Sequence, residues 1–231
     1  EGEGSSAEWH EYARTFLTAL LEHAFSTDLD NAELFRLAVA ADLKELRGIC
    51  AGTPAQGLVA ADNERMFGSV RGIVSSHLSA IRWLEPTTGR DGFSIRAYVS
   101  DDQRTGWLFL NIRHDQLRVL QPLIAMIVDI TSTSLLALPE SRTRRFWLIL
   151  DEFASLGKVD SIEDYLTKAR KNGGRAILGM QNVSQMRDTY GKEKAQTLRG
   201  CLNNLLILRA PDDETAEEMS KLLGEQQAIQ E

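Results

Sequence analysis

An α/β fold with a parallel sheet, joined to a separate all-α domain, is what this sequence predicts, on three observations. After residue 105, four short apolar runs alternate with single helical stretches. The runs are apolar at successive positions, the pattern of strands covered on both faces of a parallel sheet. Before residue 85, apolar residues recur every three or four positions instead, and no strand pattern interrupts them.

The helical half comes first. Ser5 and Glu8 have capping-box spacing, and Trp9, Tyr12, Ala13, Phe16, Leu17, Leu20, Leu21 and Ala24 follow at helical period. Asp30 with Glu33 and Asp42 with Glu45 repeat the capping signature and open two shorter helices. A long helix over 63–84 carries Met66, Val70, Ile73, Val74, Leu78, Ile81 and Leu84 on one face. Such stripes are the seams of a small helical bundle. The stretch EPTTGRDG, 85–92, then breaks the helical pattern.

In the second half the predicted strands are WLFLNI (107–112), FWLILD (146–151), RAILGM (175–180) and LLILRA (205–210). Between them lie predicted helices over 115–138, 161–172 and 183–203, the last broken near Gly191. A closing helix spans 212–223.

Composition narrows the function. A hydrophobic fraction of 43% suits a globular protein, and a net charge of −7 excludes one that grips nucleic acid over its whole surface. Charge is uneven: 142–199 holds 12 Lys/Arg against 7 Asp/Glu, whereas 1–100 holds 9 against 14. Cys50 and Cys201 lack metal-ligand or redox spacing and read as reduced, buried thiols. No stretch reads as a membrane span or signal peptide.

The chemistry concentrates where strands end, because ligands of open α/β sheets sit beyond the carboxyl ends of the strands. The strand 146–151 runs into Asp151 and Glu152, the Walker B pattern. There the Asp holds Mg2+ through water, and the following Glu orients and polarises an attacking water. Two acids leaving a strand for solvent would look the same in isolation. Gln181, at the end of the neighbouring strand, has an amide that can donate and accept at once, and so can sense a γ-phosphate. Arg170, in LTKARKNGG, either complements a helix dipole together with Lys168 and Lys171, or acts on a neighbouring subunit's nucleotide as an arginine finger. No G-x-x-x-x-G-K-[ST] phosphate loop occurs, since Gly157-Lys158 precedes Val159 and Gly191-Lys192 precedes Glu193. The expectation is a piece of a longer chain whose phosphate loop lies upstream of Glu1.

The block RRFWLILDEFASLGKVDSIEDYLTKARKNGGRAILGMQNVSQMRDTYGKEKAQTLRG, 144–200, resembles the coupling proteins of type IV secretion, the TraG/TraD-type conjugative DNA-transfer ATPases. The resemblance extends through 93–113 and 120–140 and to AEWHEYARTFL, 7–17. It implies a RecA-like P-loop NTPase core half with an inserted all-α domain. Residues 1–12 are then a connector from the nucleotide-binding domain, 13–85 the all-α domain and 86–231 the Walker B half. It further implies ATP and Mg2+ as cofactors. Asp151 and Glu152 become the Walker B pair, Gln181 the γ-phosphate sensor, and Arg170 the trans-acting arginine. The implied partners are DNA, the relaxase with relaxosome accessory proteins, type IV secretion channel components, and copies of the chain in a homo-hexamer. Attachment to the cytoplasmic face of the inner membrane runs through N-terminal helices absent from this stretch. The piece by itself is then expected to be soluble and without ATPase activity. A different class stays open: a docking module, in which the acidic helical domain binds relaxosome or secreted proteins.

Overall fold

The structure is a computed structural model and describes residues 3–84, 92–209 and 213–223. It divides into two compact units, Glu1–Phe93 and Ser94–Glu231.

Among its described residues the first unit is helical: α1 (Glu3–Thr27), α2 (Asn31–Val39), α3 (Leu43–Cys50) and α4 (Glu64–Leu78), followed by a 3-10 stretch, Ser79–Trp83. Two of the expected starts are capped as read: Asp30 accepts from Glu33 N at 2.8 Å and Asp42 from Glu45 N at 2.7 Å. Ser5 does not cap a helix, because α1 already runs through it from Glu3. The expected single helix over 63–84 tightens at Ser79. Ser76 and Ser79 there turn their hydroxyls onto the carbonyls of Ile73 and Ser76, at 2.7 and 2.8 Å, in competition with the regular ladder. The predicted stripes do form one core around Phe16, Leu20, Leu37, Leu46 and Val70, with Phe16 edge-on to Phe67 at 4.8 Å. Cys50 is buried in it as a free thiol, and burial pushes its pKa up. Most of the 85–92 break lies outside the described residues.

The second unit is α/β. Its elements are α5 (Ile95–Ser100), α6 (Leu117–Leu136), β1 (Phe146–Leu150), α7 (Ile162–Lys168), β2 (Gly174–Leu178), α8 (Val183–Tyr190), α9 (Lys192–Gly200) and α10 (Asp213–Leu223). β1 and β2 are parallel, in a register that sets Phe146 against Gly174 and Leu150 against Leu178. The break at Gly191 is real: the residue has φ 78° and separates α8 from α9. α5, capped by Ser94, was not anticipated from periodicity.

Four expectations are corrected. The runs 107–112 and 205–209 are irregular among the described residues, with Leu206 and Leu208 82% and 88% exposed. An apolar run reports a demand for burial, but a strand also needs a partner ladder, and among the described residues neither run pairs with β1 or β2. The sheet is also not covered on both faces, since Trp147, Ile149 and Ile177 are exposed. Finally, α6 is long and apolar enough to cross a membrane, at 20 residues and mean hydropathy 1.6. Its packing is that of a core helix: Ile124, Val128 and Leu135 are buried, and Gln121 and Asp129 hydrogen-bond to residues 155 and 161. Cys201, a free thiol like Cys50, is half-buried rather than buried.

Candidate functional site

The site grows out of the carboxyl ends of the two parallel strands. The ladder continues one step beyond them, with Gly179 N donating to Leu150 O at 2.8 Å and Phe153 N to Gly179 O at 2.9 Å. This pins the segment after β2 against the segment after β1. The approach is so close that a Cβ on Gly179 would lie 2.0 Å from the backbone oxygen of Asp151. Only a residue without a side chain fits there.

That approach brings Gln181 to Glu152. The amide Nε2 of Gln181 donates to Glu152 Oε2 at 2.9 Å. Glu152 is half-buried, and its other oxygen, Oε1, is buried without a hydrogen-bond partner. A buried carboxylate oxygen left unpaired is costly, so a donor or a cation is called for at this point. Asp151, next to it, is exposed. The structure thus brings together three of the four residues singled out from sequence.

Beneath the pair lies a scaffold that sequence reading missed. Phe153 is fully buried and stacks on Tyr190 at 5.5 Å. Ser155 Oγ donates to Glu152 O at 2.8 Å, and Gln121 Nε2, from α6, donates to Ser155 O at 2.9 Å. Gly157, with φ 71°, turns the chain, and a Cβ there would meet the same Gln121 Nε2 at 2.9 Å. The Tyr190 hydroxyl accepts from Val159 N at 3.0 Å and donates to Gly157 O at 3.3 Å. Burial pushes the Tyr190 phenol up from its ordinary value. Asp129 of α6 accepts from Ser161 N at 2.9 Å and from the Ser161 hydroxyl, anchoring the start of α7. None of these residues belongs to a short motif, and apart from the local Ser155–Glu152 bond each acts through a contact 30 or more positions away. Lys158 is exposed and paired with Asp160 at 3.4 Å, away from any glycine-rich loop.

The donor set fits Mg2+. Two adjacent carboxylates and an amide are hard oxygen ligands, and Mg2+ takes one or two carboxylates while keeping most of its water. Among the described residues no cluster of three or more His, Cys, Asp or Glu forms a full metal cage. An octahedral ion completed by water and phosphate oxygens does not need one.

Arg170 stands elsewhere. It lies in the 3-10 turn Ala169–Asn172 that leads into β2, exposed, at the amino-terminal edge of the sheet. Five strand residues at about 3.3 Å each put roughly 16 Å between that edge and the carboxylates. The structure does not bring Arg170 to the other three.

The chain matches, over residues 1–231, the family described as "Type IV secretion-system coupling protein DNA-binding domain". It is 32% identical over 191 residues to Coupling protein TraD of Escherichia coli (strain K12), covering 81% of this chain and 27% of TraD. To Protein VirD4 of Rhizobium rhizogenes it is 28% identical over 174 residues, covering 70% of this chain and 26% of VirD4. Among solved structures it is similar to the bacterial conjugative coupling protein TrwBdeltaN70 in its unbound form. The TM-score is 0.78 at 38% identity, covering 94% of this chain and 51% of that one. The plasmid coupling protein TrwB in complex with ADP and Mg2+ gives the same TM-score and identity, with 52% of that chain covered. The chain thus spans about a quarter of the curated relatives' length and about half of the solved chain.

Proposed function

This chain belongs to the type IV secretion-system coupling protein DNA-binding domain family, and on that premise we propose that it is the Walker B half of an ATP-driven motor that passes DNA to a secretion channel. One observation carries the reading: at the carboxyl edge of parallel strands, Gln181 holds Glu152 by one oxygen and leaves the other buried and unpaired. A water donating to Oε1 would be held and polarised by the carboxylate, which is the task of a catalytic base in phosphoryl transfer. Gln181 can give up Glu152 and turn its amide to a γ-phosphate, so its hydrogen bond reports whether the phosphate is there. Asp151, exposed beside it, would hold Mg2+ through water. When bound, that ion neutralises charge on the β- and γ-phosphates.

Arg170 is assigned to a neighbouring copy's nucleotide. Its place at the opposite sheet edge supports this, because within its own chain it does not reach the carboxylates. A ring of identical subunits, a homo-hexamer, supplies such a neighbour. The glycine-rich phosphate loop is assigned to a segment of the protein outside this chain. The exposed Trp147, Ile149 and Ile177 support that, since they form an apolar sheet face of the kind a further helix covers, and the irregular run Leu205–Leu208 is exposed as well. Residues 1–12 connect to that segment, 13–85 form the inserted domain, and 86–231 complete the Walker B half. In the whole protein the substrate is relaxase-bound DNA, the partners include relaxosome proteins and channel components, and helices outside this chain hold it at the inner membrane's cytoplasmic face.

A second role is compatible with the first. The helical unit has its own core and an acidic balance, 9 Lys/Arg against 14 Asp/Glu over 1–100, which suits protein partners better than bare DNA.

The test of the motor reading is DNA-stimulated ATP hydrolysis by the complete protein. Glu152→Gln should bind ATP as the parent does and lose turnover by about 10²–10⁴. Turnover within a few-fold of the parent would leave only the docking role.

A further inference from the structure

α6 is apolar along most of its length, yet it carries two half-buried polar side chains, Gln121 and Asp129, and both reach the segment that follows β1. Asp129 anchors the start of α7, whereas Gln121 meets the chain at Ser155, close behind Glu152. A half-buried amide gives up water and is stable only where a partner replaces it.

The turn after Glu152 fits that amide from two sides. The 3-10 stretch Phe153–Leu156 stops at Gly157, so Ser155 O is one of its last carbonyls, of the kind left without a donor from a next turn. Gln121 Nε2 supplies the donor at 2.9 Å. Gly157 lies against the same amide: its φ is 71°, and a Cβ there would come within 2.9 Å of Nε2 and 3.0 Å of the amide carbon. Gln121 has room because residue 157 has no side chain.

From Ser155 the hold passes to Glu152. That residue leaves β1 with φ −125° and ψ 75°, values of neither strand nor helix, so no regular ladder fixes it. Its carbonyl is held by Ser155 instead, from N at 3.1 Å and from Oγ at 2.8 Å. Gln181 fixes the carboxylate end of Glu152, and the relay from Gln121 through Ser155 fixes the backbone end.

We propose that Gln121 is a positioning residue for phosphoryl transfer: through Ser155 it holds the backbone of Glu152, so that the unpaired Oε1 stays where it can take a proton from water. Gln121 acts through Ser155 and not on the reacting atoms. Such a role deepens the reading of Glu152 as catalytic base and rests on it. Displacing a reacting group by about 1 Å costs about 10² in rate, which sets the scale of the effect.

The test is DNA-stimulated ATP hydrolysis by the complete protein carrying Gln121→Met, which keeps the length of the side chain and removes the donor. The expected result is a kcat lowered by about 10–10², with KM for ATP unchanged within about twofold. A merely structural role would lower turnover on any background, whereas a role exerted through Glu152 would not. Adding Gln121→Met to Glu152→Gln should therefore leave the residual single-turnover rate unchanged within about twofold. Ser155→Ala, at the other link of the relay, should lower kcat to a similar degree, and the two changes together should cost no more than the larger one alone. Should Gln121→Met fail to fold by circular dichroism, Ser155→Ala must show the same loss in kcat and the same indifference in Glu152→Gln. The proposal is overturned if folded Gln121→Met keeps the parent's kcat, if its loss lies in KM, or if it slows Glu152→Gln as much as it slows the parent. Failure of the underlying catalytic-base reading looks different: Glu152→Gln would itself turn over near the parent rate, whatever Gln121→Met does.

Discussion

Gln181 and Glu152, 29 residues apart in sequence, meet at 2.9 Å through an amide-to-carboxylate hydrogen bond. Only one carboxylate oxygen is occupied, and the other is buried without a hydrogen-bond partner. The amide therefore orients Glu152 without blocking the oxygen that would take a water's proton. Gln181→Ala in the complete protein should leave ATP affinity near the parent value and lower kcat by about 10², the loss typical of one oriented donor. Gln181→Glu should be worse, since a second carboxylate there repels Glu152. Single-turnover hydrolysis distinguishes these outcomes from slow product release.

The contact depends on Gly179. A Cβ there meets the backbone oxygen of Asp151, which cannot swing aside as a side chain would. Gly179→Ala should destabilise the second unit by about 1–3 kcal/mol, the range for overpacking, and disturb Asp151 itself. Gly72, inside α4 with nothing within 4 Å of its would-be Cβ, is the opposite case. Gly72→Ala should stabilise the first unit by about 0.5–1 kcal/mol through helix propensity alone. Urea unfolding of the two variants should move the midpoint in opposite directions.

The difference between these glycines shows what the sequence could and could not tell. The helical seams around Phe16 and Leu46, the caps at Asp30 and Asp42, and the break at Gly191 follow from local rules, and the structure has them all. The parallel pairing of β1 with β2, read from the runs 146–151 and 175–180, is there too. The runs at 107–112 and 205–209 read just as strongly as strands, yet a strand is completed by a partner that local pattern does not name. The site's supports were invisible for the same reason. Gln121, Asp129 and Tyr190 are ordinary residues in ordinary helices until the fold sets them against 155, 161 and 157. The opposed placement of Arg170 follows instead from chain order in a parallel sheet, since Arg170 precedes β2 whereas Asp151 and Glu152 follow β1.

Tyr165 and Tyr190 give the second unit a limit at high pH. Both phenols are raised from their ordinary value, first by burial. A group raised in the folded state contributes stability that is whole below its unfolded value, about 10 for tyrosine. That contribution is lost as pH rises toward the folded value. The unfolded chain binds fewer protons in that window, so stability must fall with rising pH. Thermal melts should be flat through neutrality and drop above about pH 10. Tyr190→Phe should soften the drop, at the expense of the bonds to Val159 and Gly157, about 1 kcal/mol at neutral pH. A melt that does not change to pH 11 would show that neither phenol is held neutral by the fold.

Arg170 allows the sharpest test of the assembly. It stands at the sheet edge opposite the carboxylates, so a catalytic effect through its own chain's nucleotide has no geometric route. Arg170→Ala in the complete protein should bind ATP normally and lose turnover by about 10³–10⁵, the span of arginine-finger effects. Loss alone does not establish action between subunits, but mixing does. Subunits carrying Arg170→Ala keep Glu152, and subunits carrying Glu152→Gln keep Arg170. Neither variant hydrolyses ATP by itself. In a mixed ring, an interface that sets a Glu152 from one against an Arg170 from the other is complete, and activity should return in proportion to such interfaces. With equal mixing and random order, about a quarter of interfaces qualify, if each copy offers one catalytic and one finger edge. Were Arg170 to serve its own chain, every subunit in the mixture would lack one of the two groups, and mixing would restore nothing.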